Sequence, residues 1–376
     1  MIECRAPGKL YLAGEYAVLS PGRPALIMAV DRFARVRVTD AAATTVYTDL
    51  CAGHEHSIAR DGVRVRLRHH DRPADQLASV AAAIAIVERL VRERNLPPRP
   101  GRVEITTDLH GTGGRKLGLG SSAAVTVAVI DALARHHELR LPPAHRYRLA
   151  MLASMTADPH CSGGDLAAAT FGGIVRYQRP DPRALRMPPG WTVDDALHRP
   201  WSGLSITPVE IPPGLRIEVG WTGSPARSAE RVAVLYSRGG TEDPRYGRFL
   251  ARSDAAVDRI TVALADGDIA AVAAEIRLVA ASLATLDREM GLGIMTPALS
   301  ELCRIAEAAG AAAKPSGAGG GDCGIAVLDA ADLDAACAIT TGWRRAGIDP
   351  LSLALVPSTA LASSTAVCAT QKGTPA

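Results

Sequence analysis

One stretch constrains this chain more than any other. It is Lys116-Leu117-Gly118-Leu119-Gly120-Ser121-Ser122-Ala123-Ala124, followed by Val125-Thr126-Val127-Ala128-Val129-Ile130. A glycine-spaced turn runs into two hydroxyls and then into a small, apolar, helix-like run. Glycine lets the backbone turn tightly and come close to a ligand. The unpaired N–H groups of the first helical turn, with the helix dipole, favour an anion there. Two hydroxyls at that point can cap the helix, bond phosphate oxygens or coordinate Mg²⁺. Alone, the stretch suits a serine-capped helix as well as a phosphate cradle. It is not the GxxxxGK[ST] loop, because no lysine stands between the glycines and the serines.

The 376 residues suffice for one large or two medium domains. A composition that is 47% hydrophobic and only 4% aromatic, with 35 glycines, suits a packed α/β or α+β enzyme and argues against disorder. The net charge is +3 with acids and bases well mixed, so no basic block points to nucleic acid. The seven cysteines are scattered and lack CxxC spacing, which fits a reducing cytosol better than a disulfide or zinc framework. No signal-peptide pattern opens the chain, and no transmembrane helix is expected.

Along the chain, Arg35–Thr39 and Arg102–Thr106 alternate with the period of half-buried strands, and Leu215–Trp221 reads as another strand. Pro7-Gly8-Lys9 reads as a turn bearing a lysine, ordinarily a solvated charge. Helices are expected over 76–95, from Ser121 to about His136, and over 144–156. A second small glycine turn, Ser162-Gly163-Gly164-Asp165, enters an apolar helix, where Asp165 is suited to cap. Residues 178–203, rich in proline, arginine and tryptophan, look like a boundary or a surface excursion. Helices follow over 228–238, 245–265, 268–290, 296–310 and 331–346. Between the last two lies Ser316-Gly317-Ala318-Gly319-Gly320-Gly321-Asp322-Cys323, which leads straight into a strand. Such a glycine cluster suggests backbone that must approach something closely. Leu351–Val356 reads as a last strand, and 358–376 as a frayed tail.

Three glycine motifs in this order are more telling than any one. Pro7-Gly8-Lys9 with Gly14-Glu15, Gly118-Leu119-Gly120-Ser121-Ser122-Ala123, and Ser316 through Asp322 resemble the three motifs of the GHMP small-molecule kinases. The resemblance spans about residues 5–328. Four details are similar to the branch of that family that acts on 5-phosphomevalonate. They are Tyr16 after Gly14-Glu15, Lys116 before the central glycine turn, Arg199-Pro200-Trp201 with Gly220-Trp221-Thr222-Gly223, and the Asp322-Cys323-Gly324 ending. The resemblance implies an α+β fold of two domains, a ribosomal-protein-S5-like one over 1–190 and a ferredoxin-like one over 191–357. The active site would lie between them.

It also implies a cytoplasmic enzyme that moves the γ-phosphoryl of ATP onto (R)-5-phosphomevalonate, with Mg²⁺ and with no nucleic-acid or membrane partner. Gly118, Leu119, Gly120, Ser121, Ser122 and Ala123 would cradle the triphosphate, with Ser122 taken as the serine that reaches the metal. Gly317, Ala318, Gly319 and Gly320 would close over the phosphates from the other side. Lys9 and Asp165 would form the catalytic pair. Lys9, Tyr16, Lys116, Ser162, Gly164, Ser224 and Ser316 would meet the substrate. A mevalonate kinase, another family enzyme acting on a small alcohol, or a non-catalytic sensor are the competing readings. One departure stands out. Mevalonate and homoserine kinases carry a helical glutamate upstream of the Gly-Asp turn, whereas Ser154 stands near that position here, with Asp158 as a possible substitute.

Overall fold

The computed structural model describes residues 1–358 apart from 52, 63, 70–71, 74–76, 112–113, 187, 189 and 227. The expected frayed tail thus falls, beyond 358, outside the described residues.

Two strands form the spine of the first lobe. β1 (Ile2–Ala13) and β2 (Pro24–Asp40) are long and antiparallel, with β-bulges at Pro7/Gly8 and Tyr11/Ala13. Pro7-Gly8 is therefore not a turn, as the sequence suggests, but a kink inside a continuous strand. A bulge re-aims the side chain that follows it, and that side chain is Lys9. The remaining strands are β3 (Thr45–Thr48), β4 (His54–Asp61), β5 (Arg64–His69), β6 (Arg72–Pro73), β7 (Gly101–Thr107), β8 (Ile174–Gln178) and β9 (Ser205–Val209). Among the described residues they run β6-β5-β4-β3-β7-β2-β8-β9, with β1 on the other edge of β2. The lower half of β2 pairs with β8 and its upper half with β7.

Four helices cover this sheet: α1 (Ala78–Glu93), α2 (Ser121–His136), α3 (Pro143–Ala157) and α4 (Gly164–Phe171). α2 is buried on almost every face, from Ala124 to Ala134. Its many alanines and valines permit that, since small side chains let neighbouring backbones approach closely. The expected surface excursion instead folds into α5 (Pro182–Leu185) and α6 (Val193–His198), and α6 packs on α1 and α3. Trp201 is buried there and donates to the Ala196 carbonyl.

The second lobe has an antiparallel sheet of β10 (Leu215–Trp221), β11 (Ala312–Pro315), β12 (Cys323–Asp329) and β13 (Asp349–Leu351), ordered β11-β12-β10-β13. Its helices are α7 (Ser228–Ser237), α8 (Pro244–Asp266), α9 (Ile269–Met290), α10 (Pro297–Ala308) and α11 (Leu333–Arg345). Alternation along β12 sorts its side chains to the two faces. Ile325 and Val327 join the main core with α8 and α9, while Ala326 and Leu328 join α10 and α11 around Trp343. α9 has the length and apolarity of a membrane span. Its Val272, Ile276, Leu283 and Leu286 are nonetheless buried in the core.

Two sequence expectations shift. β9 pairs with β8 over Ile174↔Val209 through Gln178↔Ser205, so we place the divide between lobes at 210–214 rather than near 190. The last strand ends at Leu351, and Leu353–Val356 returns to the first lobe. There Asp31 N–H donates to the Ala354 carbonyl at 3.0 Å and Val356 N–H to the Ala29 carbonyl at 3.0 Å. The segment fills the gap on β2 between the stretches that pair with β7 and β8.

Trp343 anchors the outer core of the second lobe. It is fully buried, and its indole donates to the Leu302 carbonyl at 3.0 Å. Trp343→Ala is expected to cost about 3–5 kcal/mol of unfolding free energy, measurable by urea denaturation. A loss under 1 kcal/mol would mean that this core is not packed as described.

Candidate active site

The central glycine motif places a helix N-terminus directly beside Lys9. Gly118 and Gly120 both adopt left-handed backbone, with φ of 76° and 75°. A Cβ on Gly120 would stand 2.9 Å from Lys9 Cγ and 3.4 Å from an Asp165 oxygen. One on Gly118 would stand 2.3 Å from Asp322 Cγ. Glycine is therefore required here for close approach as well as for the turn. Gly120 is the N-cap of α2 and offers no side-chain cap, so N–H groups of the first turn stay available to an anion.

Lys9 is nearly buried. Its Nζ lies 3.5 Å from Asp165 Oδ2 and 3.5 Å from the Gly118 carbonyl, and 5.2 Å from the centre of the Tyr11 ring. Its backbone N–H donates to the Leu119 carbonyl at 2.9 Å, which ties β1 to the glycine turn. Asp165 stands in the first turn of α4 behind Gly163, another left-handed N-cap. Two helix N-termini and one ammonium therefore meet at one point.

A cavity of about 510 Å³ opens at that point. Lys9, Tyr16, Ser122, Ala123, Ser162 and Asp165 line it from the first lobe, and Gly317 and Ala318 from the second. Ser154 and Asp158 line it too. The Tyr16 hydroxyl donates to the Ala318 carbonyl at 2.6 Å. Burial raises the Tyr16 pKa, which keeps that donor proton in place. Tyr11 is raised as well, by burial first and by the Asp165 charge second.

Other expected site residues lie elsewhere. Lys116 is exposed, bridges to His110 on the backbone, and does not line the cavity. Its charge reaches Asp322 and His110. Ser224 is exposed, and its carbonyl accepts from the Asp322 N–H at 2.8 Å. Ser316 is buried and bonded to both backbone polar atoms of Tyr11, at 2.8 and 3.1 Å, so its hydroxyl is committed to the seam. Gly164 is buried against Ile27 and Tyr11. Gly319 packs on Ile294, and Gly320 lies beneath the Arg231 guanidinium.

The sequence reading missed the wall supplied by α7. Ala229, Val232, Ala233 and Tyr236 face the cavity, and Tyr236 meets the His160 ring at 5.6 Å across the mouth. Their i, i+3, i+4, i+7 spacing was legible as an apolar helix face, but not what that face covers. Arg231 was missed too; it bonds the Gly293 and Gly320 carbonyls at 3.3 and 3.2 Å. Asp322 sits at the seam with burial raising its carboxyl pKa, opposed by Lys9, Arg231 and Lys116.

Family models for the GHMP kinases N terminal domain and the GHMP kinases C terminal region match residues 77–173 and 260–347. A phosphomevalonate kinase of Streptomyces sp. (strain CL190) is 45% identical over 93% of this chain and 95% of its own. The chain belongs to the GHMP kinase family. A mevalonate kinase of Pyrococcus abyssi is more distant, at 26% identity over 90% of this chain and 92% of its own. Among solved structures, Streptococcus pneumoniae phosphomevalonate kinase in complex with phosphomevalonate and AMPPNP superposes with a TM-score of 0.82. It is 27% identical and covers 94% of this chain and all of its own. The two-domain GHMP kinase fold follows from these matches.

One cysteine of this GHMP kinase lines the cavity. Burial pushes the Cys161 thiol up to about 12. Little of it is then thiolate at pH 8, and the thiolate is the nucleophile. Iodoacetamide at pH 8 is expected to label exposed Cys337 well before Cys161, as read by peptide mass spectrometry. Faster labelling of Cys161 would contradict the raised thiol pKa.

Proposed function

We propose that this GHMP kinase transfers the γ-phosphoryl group of ATP to (R)-5-phosphomevalonate, giving 5-diphosphomevalonate and ADP. The observation that carries the reading is the 45% identity to a phosphomevalonate kinase over nearly the whole of both chains. The Lys9–Asp165 pair beside the uncapped start of α2 supports it.

Phosphoryl transfer is mostly positioning and charge neutralisation. The N–H groups at the start of α2 and the Ser121 and Ser122 hydroxyls would hold the triphosphate. Gly317 and Ala318 stand across the cavity and would close over it. Lys9, nearly buried, would neutralise charge on the transferred group and would be worth more there than in water. Asp165 would hold Lys9 in place and orient the acceptor. The acceptor is itself a phosphate monoester, whose second pKa is about 6. It is largely ionised at neutral pH, so the enzyme has little need of a general base.

Mg²⁺ is part of the proposal. Among the described residues no group of three or more His, Cys, Asp or Glu side chains is placed to hold a metal, and Ser154 lines the cavity together with Asp158. That fits an ion brought in on ATP, since Mg²⁺ commonly takes one or two protein ligands plus substrate phosphates. Ser122 and Asp165 are the residues that would complete its shell, where it would offset charge on the phosphates. Lys116 does not line the cavity, so the single phosphate of the acceptor would be left to Lys9 and the helix N-termini. We place the enzyme in the cytoplasm, in keeping with cysteines that show no pairing pattern.

The deciding assay offers mevalonate, 5-phosphomevalonate and 5-diphosphomevalonate with Mg-ATP and follows ADP release and product phosphorus NMR. Turnover of 5-phosphomevalonate with a new diphosphate signal is expected; turnover of mevalonate in its place would overturn the assignment. Lys9→Met is expected to lower kcat by roughly 10²–10³-fold, as loss of a preorganised charge at the transferred group does. Asp165→Asn is expected to stay slow from pH 6 to 9. Full recovery of kcat above the phosphate pKa would rule out a positioning role for Asp165.

A further inference from the structure

Lys314, on β11, is completely buried. Lysine is almost never so placed unless it is paired. Its Nζ contacts the Glu15 carboxylate through Oε1, and donates to the Tyr11 carbonyl at 3.3 Å and the Pro315 carbonyl at 2.8 Å. Glu15 is only 3% exposed. The pair joins the lobes, because Glu15 follows β1 and Lys314 immediately precedes the third glycine motif. Two residues on, Ser316 Oγ accepts from the Tyr11 N–H and donates to the Tyr11 carbonyl. Lys314 and Ser316 therefore grip both polar backbone atoms of Tyr11, whose ring lies beneath the Lys9 ammonium. Directly after this grip comes Gly317, where a Cβ would stand 3.9 Å from Lys9 Nζ.

We propose that Glu15 and Lys314 are a positioning pair for phosphoryl transfer. By clamping the start of the Ser316–Gly321 loop to Tyr11, they set where that loop stands relative to Lys9 and Asp165. This rests on the phosphoryl-transfer reading of the same site. The physical reason is directional. A buried ammonium without its carboxylate is costly, so the seam closes in the one arrangement that pairs them. Two apolar side chains of like volume would hold the lobes together as firmly but would not fix their register. Lys314 lies behind the cavity and Glu15 borders it, and the pair acts through the loop and through Tyr11.

The test is the double variant Glu15→Met/Lys314→Met, which leaves no unpaired buried charge. Melting temperature is read by calorimetry, AMPPNP affinity by titration calorimetry, and kcat and KM with 5-phosphomevalonate and Mg-ATP. A melting temperature within a few degrees of wild type is expected, with AMPPNP affinity changed by less than about threefold. The value of kcat is expected to fall roughly 10- to 100-fold, because misplacement by about 1 Å costs on that order. A folded double variant with kcat within twofold of wild type would overturn the proposal and leave the pair a merely structural one. If the double variant does not fold, Glu15→Gln, which keeps the acceptor oxygen and removes the charge, is judged by the same kcat criterion. Wild-type protein runs alongside. Its failure to turn over 5-phosphomevalonate would sink the substrate reading instead, and the pair would then be judged on ADP release with water as acceptor.

Discussion

Everything at this site depends on how closely two pieces of backbone approach Lys9. The ammonium stands beside Asp165 and the start of α2 only because Gly120 has no side chain and holds a left-handed turn. The main-chain bond from Lys9 to Leu119 fixes the distance. A β-bulge at Pro7/Gly8 fixes the direction in which Lys9 points. Each device is local, yet they come from residues more than a hundred positions apart. The result is a concentrated positive field, built from one nearly buried ammonium and the N–H groups at a helix start.

The second lobe completes that field. Its glycine motif meets the first lobe at several points. Ala318 takes the Tyr16 hydroxyl, Asp322 lies on Gly118, and the Cys323 thiol donates to the Leu117 carbonyl at 3.1 Å. Asp322 is the acid of that motif, set among the cations Lys9, Arg231 and Lys116. Burial works against its charge while those cations favour it. The seam combines these directional contacts with an apolar core that runs through both lobes.

The chemistry of the acceptor explains a sparse active site. An alcohol must lose its proton as it attacks, so a carboxylate base matters. A phosphate monoester arrives already ionised. A site of this kind needs positive charge and orientation, which Lys9, the two helix N-termini and the glycine loops can supply.

The sequence by itself determined the elements and their signs. Glycine spacing, hydroxyls and helical periodicity marked α2 to within a residue, and alternation marked β7 and β10. The lysine, the aspartate and the three motifs were legible because their chemistry depends on residue type and local order. What the tertiary structure decided was adjacency. Pro7-Gly8 looked like a turn because local propensity cannot reveal a partner strand that keeps the chain extended. Leu353–Val356 looked like part of the last strand, yet it hydrogen-bonds to β2 in the first lobe. Ser316 looked like a ligand contact, and only the fold brings the Tyr11 backbone to its hydroxyl. Lys314 carried no signal, and the α7 face was legible as apolar but not as a cavity wall, since nothing local shows which surface a side chain will meet. Local physics writes the helices, strands and turns into the chain, but long-range packing chooses which of their polar groups face the ligand and which face each other.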